Sequence, residues 1–120
     1  MNYILLICSD DKLWEAADQE ALQKMYAEHT AYGKALTEAG VLRGGAELKP
    51  ASTATTLRSA NGKTTMVDGP FAETKEQLGG FYLIDVENLE QALDWAAKMP
   101  GMNTLPMSVE VRPLGVAAGS

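Results

Sequence analysis

The run DGPFAETKEQLGGFYLID, Asp68 to Asp85, divides the chain into two halves that read differently. Gly69 and Pro70 make its first residues a turn, because both break regular structure. A polar stretch over 72–78 follows, readable as loop or as one helical turn. Gly79-Gly80 then leads into the mostly apolar strand segment Phe81–Val86. Upstream, the β-prone stretches 53–59 and 63–67 flank Asn61-Gly62, the dipeptide that favours a two-residue type I′ hairpin turn. Downstream, Asn88 and Gln91 have the spacing of a helix capping box. The helix they begin runs to about Lys98, with Leu89, Ala92, Leu93, Ala96 and Ala97 expected to face inward, and Pro100-Gly101 stops it. Met107, Val109 and Val111 alternate with polar residues as in a half-exposed strand, which Pro113 ends.

The first half opens with Asn2–Cys8, a continuous apolar run that suggests a central strand buried on both faces. A long helix is expected over about 18–39, capped by Asp18 and terminated by Gly40. Its inward stripe is Leu22, Met25, His29, Tyr32 and Leu36. Val41 to Leu48 is extended. The order β-α-β-hairpin-β-α-β predicts an α+β fold of the ferredoxin-like split βαβ type with an inserted β-hairpin. Its antiparallel sheet carries two helices on one face. The other face is left bare in a monomer, so a homodimer pairing sheet face to sheet face is expected.

Composition narrows the function. One hundred and twenty residues, 46% hydrophobic and 22% charged, suit one self-sufficient globular domain, here 1–114, with a flexible tail over 115–120. A single Cys and a single His exclude an intramolecular disulfide and any Cys- or His-rich metal site within one chain. A net charge of −6 argues against nucleic acid as the partner. No apolar run is long enough for a membrane span, and no secretion signal opens the chain, so a cytoplasmic protein is expected. No motif calls for a cofactor. Gly79-Gly80 belongs to no phosphate-binding loop and suggests a bulge or a close backbone approach. Cys8 reads as a core residue.

The candidate site centres on His29, the one side chain here whose ordinary pKa lies near neutrality, although its plainer reading is a core or dimer-interface histidine hydrogen-bonded to a backbone carbonyl. As a catalytic partner Asp68 is the first candidate, although an Asx-turn is its plainer reading, and Glu73 competes for the same role. Arg43, Glu73 and Lys75 are the candidate ligand-binding set, a cation being suited to a carboxylate or phenolate oxygen of a ligand. Their plainer reading is solvated ion pairing.

The block from Asp68 to Asp85 resembles the DGPF-domain group of the YCII-related family. So do Asn2–Cys8, Gly40-Val41-Leu42, the segment Glu87–Ala92 and Glu110–Pro113, so that the resemblance covers 1–114. It implies a ferredoxin-like domain pairing as a dimeric α/β barrel. It also implies a His in the first helix at the place of His29. In YCII-type relatives a His–Asp pair acts on small molecules, including dechlorination of an aromatic ring, and other relatives are fused to sigma factors. The expectation is a family largely without assigned chemistry. Its members would bind or transform a small polar or aromatic molecule by His–carboxylate acid–base chemistry. The alternative is a non-catalytic ligand sensor or interaction module linked to transcription regulation.

Overall fold

Strand β1 (Asn2–Ser9) is the middle of the molecule, hydrogen-bonded on one side to β5 (Gln77–Asp85) and on the other to β6 (Met107–Pro113). In the computed structural model, which describes residues 1–116, β2 (Leu42–Glu47) completes the sheet, in the order β2-β5-β1-β6 with every pair antiparallel. This order is compatible with the ferredoxin-like split βαβ plan. Tail positions 117–120 lie outside the described residues.

Alternation along β1 decides where the core forms. Tyr3 and Leu5 point to one face, where their cross-strand partners are Ile84 and Tyr82 on β5 and, for Leu5, Val111 on β6. Helix α2 (Gln19–Glu38) lays Tyr32 and Leu36 on that face, and α3 (Leu89–Ala97) adds Ala92 and Ala96. Leu5, Leu36 and Ile84 are fully buried, each worth about 1.5–3 kcal/mol relative to exposure. β1 is central, as its sequence suggests, but its second face is only half-buried within one chain.

The caps follow local chemistry. Asp18 accepts from the amide of Ala21, and Gly40, at φ 74°, closes α2 in the left-handed conformation that glycine tolerates best. Asn88 accepts from the amide of Gln91 at 2.9 Å. The Gln91 side chain accepts from Glu87 rather than from the cap residue itself, a capping box displaced by one position. The inward face of α3 is Ala92, Trp95, Ala96 and the following Met99. Leu89, Leu93 and Ala97, expected to face inward, are exposed. Two alanines let the helix approach the sheet closely, and Trp95 and Met99 fill the space beside them. A short helix α1 (Asp11–Ala16), capped by Asp10, occupies a stretch in which no apolar periodicity announces a helix.

The hairpin forms as Asn61-Gly62 predicts, both residues having positive φ. Among the described residues its strands β3 (Thr55–Ala60) and β4 (Lys63–Asp68) pair only with each other and stand as a separate two-stranded sheet. Gly79-Gly80 lies inside β5, where the register with β1 shifts between Ile7 and Cys8. A Cβ on Gly80 would come within 3.1 Å of the Ala46 carbonyl oxygen, so bulge and close approach both occur there.

Leu36→Ala should lower the unfolding free energy by about 2–5 kcal/mol. Asp18→Ala should lower it by about 1 kcal/mol. Urea unfolding followed by far-UV circular dichroism measures both, and equal effects would contradict a core centred on Leu36.

Candidate functional site

Tyr32 organises the site from beneath. Its hydroxyl donates to the Trp95 carbonyl at 2.6 Å, and its ring meets Tyr82 and Trp95 edge-on at centroid distances of 5.2 and 6.1 Å. Tyr82, two residues before the buried Ile84 on β5, shares the helix-facing side of the sheet. There its hydroxyl lies 2.8 Å from Nδ1 of His29, one turn before Tyr32 on α2, and the two rings are within 12° of parallel. Helix and strand thus hold the two ends of one hydrogen bond.

This pair forms part of the wall of a cleft of about 730 Å³ between α2 and the β2–β5 end of the sheet. Gly45, Gly79 and Gly80 bring bare backbone to it, while Ile7, Trp14, Leu22 and Met25 make it largely apolar. Its polar groups beside His29 and Tyr82 include Glu47, which accepts from the Tyr26 hydroxyl at 3.3 Å, and Lys49. A smaller cleft of about 350 Å³ shares Ile7, Ser9, Trp14, Met25 and His29 with the first. The Trp14 indole N–H donates to Ser9 at 3.1 Å in the wall common to both.

Electrostatics fix the protonation states. Burial pushes the His29 pKa below its ordinary value, against the smaller opposing pull of the Glu28 and Glu47 charges. Burial likewise raises the Tyr82 phenol. At neutral pH the two form a neutral pair. With Nδ1 committed to Tyr82, His29 Nε2 has no hydrogen-bond partner among the described residues. No buried side-chain nitrogen or oxygen there lacks a partner, so Nε2 is open to the cleft.

The residues nominated from sequence fall in different places. His29 is in the cleft. Arg43 sits in the bulge of β2, donating to the carbonyls of Gly40 and Leu42 and pairing with Asp85 at 3.4 Å. Asp68 ends β4, and Glu73 and Lys75 are exposed in the loop beyond it. None of these four lines either cleft, and no ion pair joins His29 to a carboxylate among the described residues. Nor do three His, Cys, Asp or Glu side chains gather there as metal ligands would.

Tyr82, Glu47, Tyr26 and Trp14 are the cleft residues that sequence reasoning missed. Tyr82 was within reach: it alternates with the core residue Ile84 inside an apolar strand, so its hydroxyl had to find a partner on the buried side.

Among known proteins, the YCII-related domain model matches residues 1–114. An uncharacterised protein of Rhizobium meliloti (strain 1021) is 42% identical over 116 residues, which is 97% of this chain and 94% of that protein.

Because the folded-state pKa of His29 is depressed, the unfolded chain binds the proton more readily. The stability that neutral His29 contributes is present above the unfolded pKa of about 6.5 and is lost as pH falls from there toward the folded value. Urea midpoints at pH 7.5 and 5.5 should therefore fall further for the wild type than for His29→Gln. Equal pH dependence in the two proteins would contradict a buried neutral His29.

Proposed function

The chain belongs to the YCII-related domain family, and on that footing we propose that it binds a small, mostly apolar molecule in the cleft beside His29. The hydrogen bond at 2.8 Å between His29 and Tyr82 is the observation that carries this reading. It commits Nδ1 and leaves Nε2 as the group that meets the ligand. When the Tyr82 hydroxyl donates to Nδ1, Nε2 carries the proton and donates to a ligand oxygen. In the other tautomer Nε2 accepts a proton from a ligand hydroxyl. A phenol or a related aromatic hydroxy compound suits both the apolar walls and this switchable contact.

His–carboxylate chemistry remains part of the proposal for Asp68 and Glu73 as carboxylates supplied to the cleft from outside it. In one protomer the charges acting on His29 are those of Glu28 and Glu47. Arg43 and Lys75 remain proposed ligand contacts on the same terms. A neutral His–Tyr pair with no bonded carboxylate also favours a second reading, in which the cleft senses its ligand without transforming it.

The proposed assembly is a homodimer formed through the sheet face opposite the helices, as a dimeric α/β barrel. On that face Ile4 pairs with Leu83, Leu6 with Phe81 and Cys8 with Leu78, an apolar centre left half-covered in one chain. Ser108, Glu110 and Arg112 of β6 border it as a polar rim.

Titration of the ¹⁵N-labelled protein with phenol should shift the Trp14 indole and the Thr30 and Glu47 amides. Tyr82→Phe should weaken binding about two- to tenfold, the worth of one ordinary hydrogen bond. His29→Ala should weaken it further, and cyclohexane carried in the same co-solvent should leave the Glu47 amide in place. Unchanged phenol binding by His29→Ala would overturn the assignment. Recovery of phenol unaltered is the sensor outcome, and a new product in the mixture is the enzyme outcome.

A further inference from the structure

The β3–β4 hairpin has no place in the fold of its own chain. Among the described residues its strands pair only with each other, and of residues 55–68 only Thr56 is not exposed. A two-stranded hairpin alone is marginal in water. This one is fastened only at its base. There the Gly69 amide donates to Ala54, the Thr56 hydroxyl donates to Gly69, and Arg58 donates to the Phe71 carbonyl. The chain has a radius of gyration of 16.1 Å. A compact chain of this length would have about 14 Å.

The projecting surface is not the charged one expected of a solvated loop. Leu57 and Met66 are cross-strand partners on one face, exposed by 67% and 71%, and Phe71 at the base is exposed by 76%. Both outer edges of the ribbon keep unpaired backbone groups, with none of the devices that blunt an edge strand apart from Lys63 and Arg58. These features call for an occupant that covers apolar side chains.

We propose that the hairpin is an arm that seats on a second copy of this chain. Charge selects that occupant. Arg58 and Lys63 against Asp68 give the arm one excess positive charge, whereas the chain as a whole carries −6, so the body is more negative still. A weakly basic ribbon with an apolar centre complements an acidic body of its own kind. It has too few cations to hold a nucleic acid. A two-fold axis makes the exchange reciprocal, each arm lying on the other body. The proposal rests on the homodimer proposed above and adds a contact that the sheet faces do not provide. Asp68 and Glu73, which no cleft of their own protomer uses, travel at the base of the arm toward the partner.

The test keeps arm and sheet-face dimer apart. In a Cys8→Ala background, which keeps the sheet face apolar and is first matched to the wild type in mass by light scattering, unlabelled Ser59→Cys chain carrying a nitroxide is mixed with ¹⁵N-labelled chain that has no spin label, and subunits are exchanged. Broadened amides in the ¹⁵N chain then report only contacts between copies. The expected result is broadening concentrated on one contiguous patch of the partner's body. In parallel, Leu57→Ser/Met66→Ser should raise the dimer dissociation constant at least tenfold while its circular dichroism spectrum stays native, since both side chains are exposed within one chain. A dimer by light scattering with no such broadening overturns the arm and leaves the sheet-face dimer standing. A dimer unaffected by the double substitution does the same. A monomer at all concentrations overturns both.

Discussion

Tyr32 is the residue on which the site depends. Its ring stands edge-on between Tyr82 of the sheet and Trp95 of α3, and its hydroxyl satisfies a carbonyl near the end of that helix. Helices and sheet therefore share one buried aromatic contact, and Tyr82, held from below, can offer its hydroxyl to His29 at hydrogen-bond distance. Burial raises the Tyr32 phenol far above its ordinary pKa, so at neutral pH the group stays protonated and a hydrogen-bond donor. The histidine is neutral for a related reason. It is drawn into the same apolar layer, and the nearby carboxylates pull on it too weakly to offset desolvation.

That layer also explains why the cleft is open where it is. Packing is tight under Tyr32, Leu36 and Ile84 and relaxes toward the β2–β5 end, where Gly45, Gly79 and Gly80 replace side chains with backbone. The Trp14–Ser9 bond on α1 fixes part of the wall, although α1 itself buries no residue. The cleft is thus built by absence of side chains on the sheet side and by α2 on the other, with the lightly held α1 closing part of the wall.

Much of the fold is legible in the sequence. Asp18 and Gly40 bound α2, Asn61-Gly62 makes the hairpin turn, and the alternation Met107–Val109–Val111 orients β6, because each is local chemistry acting within a few residues. The inward face of α3 is not legible in this way, because Leu89 and Leu93 outweigh alanine in hydrophobicity. Close helix–sheet approach selects the smaller residues instead. Nor does α1 announce itself, because its stability comes from the cap at Asp10 and from contacts distant in sequence, among them the Ala51 amide donating to Asp11 at 2.9 Å.

By itself the sequence determined an α+β succession of strands and two of the helices with an inserted hairpin, an order compatible with the split βαβ plan, and His29 as the one group poised near neutral pH. Caps, turns and periodicity are properties of neighbours along the chain, and a lone histidine can be counted. The tertiary structure alone decided what His29 meets. Its bonded partner is a tyrosine 53 positions away on β5, and Asp68, the first candidate, lies on a hairpin outside the cleft. A hydrogen bond between elements depends on strand register, sheet twist and the closeness of helix packing. Those quantities are set by the whole core at once, and no short stretch of residues encodes them.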